Sequence, residues 1–493
     1  MAQKQRVIFR ADGNSQIGLG HVIRSLAMAQ MLRNEYECIF AIQAPDPALK
    51  KHILEVCQGI IILPSCAATE DRFIHELEAY LSDEEIVVLD GYSFNTAYQQ
   101  CIKAKGATLV CIDDVHSCHF LADVVLNPAG GVSASNYSTE PYTKLYIGPS
   151  YALLRQPFLQ ASISESNRHL EPLHLLLCMG GADPKNHTLS IAKELQKQMP
   201  EAILEIVTGS AYVHQDDLNL WLSNNSSHSL NANLDAASMY ELMSKCQVAV
   251  TSASGVAYEY TAVGGALFIV QTAANQQLLY DYLLSSGMAK AYKAFAEETT
   301  TASILSLSNE LRENQKKVFD GKSGDRIKEI FEQLTLQTNL RLRQVIPEDR
   351  LLLYDWTNDP EVRKHSFNSA AIPLAIHDSW FTSKFSSPKS LLYIAEVNHK
   401  PAAHIRFELS DHSATINYLI GSEFRGKGLG HTVLLKGIGQ LEKDRKDIQK
   451  VEGLVQHTNP ASIRAFEKAG FQKTTPEAAH PEAVKFTRQL HTF

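Results

Sequence analysis

Ten short, nearly continuous apolar runs, each followed by a helical pattern, fill the first 338 residues of this 493-residue chain. They read RVIFRA, CIFAIQA, GIIILP, EIVVLDG, TLVCIDD and ADVVLN, then, past a loop-rich stretch, LHLLLCMGG, ILEIVTG, VAVTSA and LFIVQTA. Strands that are apolar on both faces belong in parallel sheets covered by helices on each side. Ten are too many for one comfortable sheet in this length. The extended segment around YALLRQPFLQASISESNRHLEP is read as the link between two doubly wound α/β lobes, 1–160 and 161–338, with a cleft between them. Ligands of open α/β sheets bind beyond the carboxyl ends of the strands, so functional residues are sought there.

The stretch LRENQKKVFDGKSGDRIKEIFEQLTLQTN (311–339) reads as a polar helix, a turn, a second helix and a polar tail before a new strand, LRLRQV. This sets a boundary near 338 and assigns 339–493 to a third domain. All eight cysteines precede residue 250 and none forms a C-x-x-C pair, which removes zinc-ribbon and thioredoxin readings and points to reduced core thiols. The net charge of −8 excludes a nucleic-acid surface, so any phosphate must be held locally by loops and helix N-termini. The N-terminus lacks the apolar stretch of a signal peptide, and no run reaches the length of a membrane span, so a cytoplasmic protein is expected.

In the first lobe, the strand at Arg6–Arg10 enters ADGNSQIGLGHVIRSLAMAQMLR. Gly18 and Gly20 make the turn, and Val22, Leu26 and Ala29 set a helical period. His21 therefore opens a helix at a strand's carboxyl end. The helix N-terminus favours anions and disfavours an imidazolium, which suits a general base. A helix-capping His beside a tight turn fits the spacing equally. Asp90 and Tyr92 end another strand and face the same cleft edge; Asp113-Asp114 ends the next, without the further ligands that a metal site needs.

In the second lobe, Gly180-Gly181 follow a strand, and Asp183 before Pro184 reads as the N-cap and first residue of a helix with N–H groups free for a diphosphate. Ser252, Ser254 and Gly255 form the turn after the next strand, and Glu259 lies one turn into the following helix, placed to bridge ribose hydroxyls. Asn275 and Gln276 follow the last strand. Three polar or glycine loops at strand ends of one lobe point to a nucleotide-sugar site.

Together, RADGNSQIGLGHVIRSLAMA, CIDDVHSCHFLADVVLNPA, YIGPSYALLRQPF, CMGGADPKN and SGVAYEYTAVGGALFIVQTAANQ resemble the UDP-2,4-diacetamido-2,4,6-trideoxy-β-L-altropyranose hydrolases of pseudaminic acid biosynthesis. The resemblance covers nearly all of 5–335 and implies a pair of lobes similar to the GT-B glycosyltransferase fold. It implies that His21 is the base that activates water and that Tyr92 is an active-site tyrosine. Asp12, Gly18, Gly20, Arg24, Gly180, Gly181, Asp183, Ser252, Ser254, Gly255, Glu259, Asn275 and Gln276 would contact the UDP-sugar. Many members have paired glycines where this chain has Thr251-Ser252-Ala253-Ser254-Gly255. No metal is required, because UDP leaves as a stabilised anion.

In the last third, a β-branched strand ends at Ile420, and Arg425-Gly426-Lys427-Gly428-Leu429-Gly430 opens an amphipathic helix. Successive N–H groups at such a turn suit a pyrophosphate. The strand KVEGLVQ and the helix HTNPASIRAFEKAGF follow. This ordered pair of motifs resembles the Gcn5-related N-acetyltransferase superfamily over about 340–490. By that resemblance acetyl-CoA is the co-substrate, held by the Leu419-Ile420 backbone, by Arg425, Gly426, Lys427, Gly428, Leu429 and Gly430, and by Asn459 and Ser462. Phe466 stands where many members carry the tyrosine that protonates the departing thiolate. DWTNDPEVRKHSFNSAAIPLAIHDSWF resembles acetyltransferases of UDP-4-amino-4,6-dideoxy sugars, which places Asn358, Arg363 and His377 on the amino-sugar side, with Glu408 and Tyr418 as candidate bases. Arg363 and His377 also fit a surface helix.

These readings combine into one enzyme that acetylates a UDP-amino sugar and releases UDP from the product, with no nucleic-acid or membrane partner. Two alternatives stand beside it: a glycosyltransferase using the same cleft with an accessory acetyltransferase, and a non-catalytic assembly protein with a degenerate acetyltransferase.

Overall fold

The computed structural model describes residues 4–13, 19–161, 172–209, 211–297, 300–474 and 480–490. Gly18 of the first glycine turn lies outside them. The protein is a mixed α/β molecule with two compact units, 1–331 and 332–493, and the division falls inside the helix Ser323–Thr338.

The first unit holds two parallel sheets. Strands β1 (Arg6–Ala11), β2 (Glu37–Gln43), β3 (Gly59–Leu63), β4 (Ile86–Asp90), β5 (Thr108–Ile112), β6 (Val124–Asn127) and β7 (Lys144–Ile147) pair in the order β3-β2-β1-β4-β5-β6-β7. Helix α1 (Gly20–Leu32) follows β1. The second sheet has β8 (His174–Cys178), β9 (Ile203–Thr208), β10 (Ser229–Ala232), β11 (Val248–Ser252), β12 (Ala266–Val270) and β13 (Lys290–Ala291), in the order β10-β9-β8-β11-β12-β13. Helices α2 (His187–Gln198) and α3 (Gly255–Val263) follow β8 and β11. In both sheets the order reverses beside the first strand, between β1 and β4 and between β8 and β11. That is where a doubly wound sheet opens a crevice at its carboxyl edge. Every residue of β4, β5, β8 and β11 is buried, which explains the unbroken apolar runs.

The second unit is built on β14 (Leu340–Gln344), β15 (Ser390–Val397), β16 (Lys400–Ser410), β17 (Ser413–Ile420), β18 (Lys450–Gln456), β19 (Gln472–Thr474) and β20 (Ala483–Gln489), paired β14-β15-β16-β17-β18-β20-β19. Helices α4 (Arg350–Asn358), α5 (Pro360–Lys364) and α6 (Leu374–Phe385) precede β15; α7 (Gly430–Asp444) and α8 (Pro460–Lys468) flank β18. One face of β16 and β17, through Ile405, Phe407, Leu409, Ala414 and Ile416, packs with Val433, Leu434 and Ile438 of α7 in the main core. All contacts in this sheet are antiparallel except β17–β18, and that parallel ladder runs only from Ser413↔Lys450 to Thr415↔Glu452. Beyond Thr415 the two strands part, leaving the backbone of Ile416–Ile420 unpaired toward β18. Among the described residues, no helix is long and apolar enough to cross a membrane.

Candidate active site

The first site forms at the carboxyl ends of β1 and β4, where the sheet order reverses. His21, in the first turn of α1, sets Nδ1 2.7 Å from Asp90 Oδ1. Asp90 is the last residue of β4 and is fully buried. Its carboxylate also accepts from Arg24 Nε and Nη2, at 2.7 and 2.6 Å, and from Ser25 Oγ at 3.2 Å. Arg24 Nη1 reaches Asp114 at 2.8 Å. Burial alone would raise the Asp90 carboxyl, but Arg24 and His21 outweigh it and hold the group below its ordinary range. A permanent carboxylate at Nδ1 makes that nitrogen the donor. Arg24 Nη2 is also 3.2 Å from Nδ1, but it already donates to Asp90. The lone pair is thus on Nε2, the nitrogen that can take a proton from water.

Tyr92 packs edge-on against the His21 ring with centroids 4.7 Å apart. Burial, then Asp114, raises that phenol above its ordinary range. Tyr258, on α3, bonds across to the first lobe: its hydroxyl accepts from Gly130 N and donates to Pro128 O. A cavity of about 100 Å³ beside Tyr92 is lined by Leu89, Gly91, Phe94, Asn95, Asp113 and Phe120, among others.

The second lobe presents its loops at the same carboxyl edges. Gly180 adopts φ +93°, and the Ser252 hydroxyl would lie 3.5 Å from a side chain added there. Ser252 and Ser254 hydroxyls are 3.0 Å apart. Ser254 precedes α3 without capping it, so the first N–H groups of that helix, at Gly255 and Val256, are open to an anion. Glu259, on α3, is gripped by Arg155 through bonds of 2.6 and 2.8 Å. Gln276 turns back to accept from Thr272 N at 2.8 Å.

One expectation is corrected. The helix that Asp183-Pro184 was to open begins at His187, behind an Asn186 cap in the left-handed region. Asp183 itself has φ +40°, and its carboxylate accepts the N–H groups of His187 and Thr188 at 2.9 and 2.7 Å. Those donors are therefore not free for a diphosphate. Asp12 is committed elsewhere: it pairs with the buried Arg10 at 2.6 Å and accepts from Gln43 N at 3.0 Å.

In the second unit, Gly426 and Gly428 take φ +76° and +74°, so the loop curls into α7 with no side-chain cap at its start. Lys427 stacks over Phe424, 5.3 Å from its ring centre. Arg425 closes the loop onto the sheet, bonding Ile420 O at 3.0 Å and Asp359 at 2.9 Å. Leu419 and Ile420 lie on the parted stretch of β17, and Leu429 and Gly430 bring α7 to it. Asn459 caps α8 by accepting from Ser462 N at 3.0 Å, and Ser462 Oγ donates to the Tyr418 hydroxyl at 3.2 Å. Tyr418, raised above its ordinary range by burial, sits 6.0 Å from the buried Phe466 ring. Asn358 clips the chain at Ile372 through both its amide groups, and Arg363 bonds Asn368 O and Ala370 O; each shapes its own loop. His377 is buried, not on a surface helix face, among Tyr354, Trp380 and Phe381. Glu408 accepts from Lys384 and Ser390, both at 2.8 Å.

Residues 339–472 match the acetyltransferase (GNAT) domain family. The chain carries an acetyltransferase domain. Acetyl-CoA is its co-substrate, and the start of α7, behind two left-handed glycines, carries no side-chain cap. An uncharacterized protein of Methanocaldococcus jannaschii is 25% identical over 497 residues, 95% of this chain and 97% of that protein. A UDP-2,4-diacetamido-2,4,6-trideoxy-beta-L-altropyranose hydrolase of Campylobacter jejuni is 28% identical over 296 residues, 58% of this chain and 99% of that enzyme. The spore coat polysaccharide biosynthesis protein SpsG of Bacillus subtilis is 22% identical over 270 residues, 54% of this chain and 77% of that protein.

Sequence reasoning missed the partners. Asp90 was seen at the cleft edge but not tied to His21, and Arg155 was passed over as linker. An arginine in an otherwise apolar extended segment was the available signal. Also unforeseen, His75, Glu78 and Cys101 bring ligand atoms within 4.8 Å of one another, with Glu78 shared by Lys105.

Proposed function

We propose that the first unit hydrolyses a UDP-linked 2,4-diacetamido-2,4,6-trideoxy sugar to free sugar and UDP, and that the acetyltransferase domain N-acetylates the 4-amino group of its UDP-4-amino-4,6-dideoxy precursor. Both steps belong to nonulosonic (pseudaminic) acid synthesis. In this reading 1–160 and 161–338 are the lobes of a GT-B-like pair and 339–493 is the acetyltransferase.

The observation that carries the hydrolase half is the His21–Asp90 pair at the mouth of the crevice. Asp90 orients the ring, and Nε2 takes a proton from water as its oxygen bonds to the anomeric carbon. The bond from that carbon to the diphosphate breaks, and UDP departs with the electron pair. The open N–H groups at Gly255 offset its charge. Tyr92 and the half-apolar cavity beside it suit a sugar bearing acetamido and methyl groups. The substrate named for the Campylobacter jejuni relative supports the same choice. In the second unit, the neutral amine attacks the thioester carbonyl, the carbon–sulfur bond breaks with its electron pair on coenzyme A, and the proton lost by the nitrogen passes to solvent. Tyr418, hydrogen-bonded by Ser462, is the hydroxyl beside the Phe466 position.

The test is incubation with the UDP-4-amino sugar and acetyl-CoA, followed by mass analysis. The expected products are the N-acetylated nucleotide sugar, then UDP and free reducing sugar with no added acceptor. Release of UDP only when a sugar acceptor is supplied would establish the glycosyltransferase alternative. His21→Ala should abolish UDP release; unchanged release would remove His21 as the base.

A further inference from the structure

The face of the acetyltransferase sheet opposite α7 carries a polar stripe along β16: His404, Arg406 and Glu408. Their neighbours on β17 are Leu419, Asn417 and Thr415 in register. Thr415 and Asn417 are exposed, so this face of β17 is an open shelf. Asn417 belongs to the stretch where β17 has left β18. The shelf is therefore the side from which an amine can approach a thioester lying along that edge. Helix α6 supplies Trp380 and Lys384 to the same stripe.

Arg406 is unlike the other site arginines. Its guanidinium carbon lies 5.1 Å from the Trp380 ring centre, and its Nε is buried without a hydrogen bond. Among the described residues the Arg406 side chain makes no hydrogen bond, and its nearest carboxylate, Glu408, is 3.9 Å away. Glu408 is itself answered by Lys384 and Ser390. The remaining groups facing the stripe supply no acceptor charge. His404 Nε2 and both His377 ring nitrogens lack partners, and burial pushes each ring toward its neutral form. Asp349 is held by Arg343 at 2.6 and 2.9 Å. A guanidinium cannot shed its proton, so this one stays a cation, over an indole ring and one strand from the acetyl carrier. Strands lie roughly 4.8 Å apart, which puts the charge within reach of an acceptor whose amine meets the thioester.

We propose that Arg406, backed by Trp380, is the subsite for the phosphate groups of the amino acceptor, so that the domain selects nucleotide-linked over free amino sugars. This rests on the amino-sugar reading above. A planar fork presenting paired N–H donors matches phosphate oxygens, and stacking on Trp380 fixes its orientation.

The test compares two acceptors in the full chain with saturating acetyl-CoA: the UDP-linked 4-amino-4,6-dideoxy sugar and the same amino sugar without its nucleotide. Wild type should favour the UDP-linked acceptor in kcat/KM by at least roughly tenfold. Arg406→Met, which keeps contact with Trp380, should raise the KM for that acceptor roughly ten- to hundredfold and bring the ratio toward one; Arg406→Lys should recover part of it. Equal use of both acceptors by wild type, or an unmoved KM in Arg406→Met, overturns the subsite and leaves the amino-sugar reading standing. A parallel rise in the KM for acetyl-CoA assigns Arg406 to the fold and overturns the subsite as well. Acetylation of neither acceptor overturns both.

Discussion

Replacing Asp90 with Asn keeps the shape of the dyad and removes its charge. The carboxylate accepts four hydrogen bonds, one from His21, two from Arg24 and one from Ser25. An amide oxygen can serve one of its two sides, and its NH2 then faces a donor. Whichever way it turns, either Arg24 or His21 loses its acceptor. Arg24 keeps Asp114, so the fold should lose about 3 kcal/mol, the lower end for breaking a buried charged pair. His21 loses the group that fixes Nδ1 as donor and supports the positive charge it gains in the reaction. General-base catalysis is worth roughly 10²–10⁴-fold, so kcat/KM for UDP release should fall about 10³-fold, equivalent to about 4 kcal/mol. The assay is steady-state UDP release at pH 7.5, with thermal unfolding and acetyl transfer on the same sample as controls. UDP release within threefold of wild type, in a variant whose unfolding midpoint has fallen, would show that Asp90 is only structural and refute the dyad.

Arg155→Met leaves the Glu259 carboxylate without its bidentate partner, and the KM for the UDP-sugar should rise about tenfold in UDP-release kinetics. Gly426→Ala places a side chain that meets nothing within 4 Å, so its effect is the left-handed backbone alone; about 1–2 kcal/mol of strain should weaken acetyl-CoA binding roughly five- to thirtyfold by calorimetry. His404 titrates in the unfolded chain near 6.5, but burial, then Arg406, pushes it down to about 3 in the fold. Its folded value lies below its unfolded value, so the unfolded chain binds the proton first and stability falls as pH drops below about 6.5. Urea melts of the acetyltransferase unit should show about 2 kcal/mol lost between pH 6.5 and 4.5, a slope that His404→Asn flattens.

Strands buried on both faces are legible because burial forces an unbroken apolar run, as in Ile86–Asp90 or His174–Cys178. The short polar edge strands of the second sheet are not. Ser229–Ala232 is a half-exposed SLNA and Lys290–Ala291 has two residues, so neither leaves a pattern. The glycine loop was legible at Gly426 and Gly428, because a turn that must adopt left-handed angles restricts the residue type. Pairings were not: His21 and Asp90 are 69 positions apart, Arg155 and Glu259 are 104 apart, and no local period links them. The Asp183-Pro184 reading failed for a related reason. An Asp before Pro commonly opens a helix, but here the carboxylate reaches forward to His187 and Thr188 across a turn. Asn358 and Arg363 sit in a motif suggestive of substrate, yet their side chains hold the loop that contains the motif.

The arginines show how the two units would treat phosphate differently. In the first unit, Arg24 is committed to Asp90 and Asp114, and Arg155 to Glu259. Neither carries charge left over for a diphosphate, so in the proposed hydrolase recognition would fall to backbone N–H groups at the start of α3. Such dipolar donors act at contact range and contribute little long-range field, so ionic strength should move the KM for the UDP-sugar weakly. Arg406 in the acetyltransferase is the reverse case, a cation beside an open shelf whose nearest carboxylate, Glu408 at 3.9 Å, is shared with Lys384. Attraction to it is coulombic and screened by salt, so the KM for a phosphate-bearing amine should climb as salt is added while the hydrolase KM holds nearly level. Measured on one chain with one nucleotide class, that divergence separates binding by helix N–H groups from binding by a bare guanidinium; parallel salt curves would show that the two sites hold their phosphates alike.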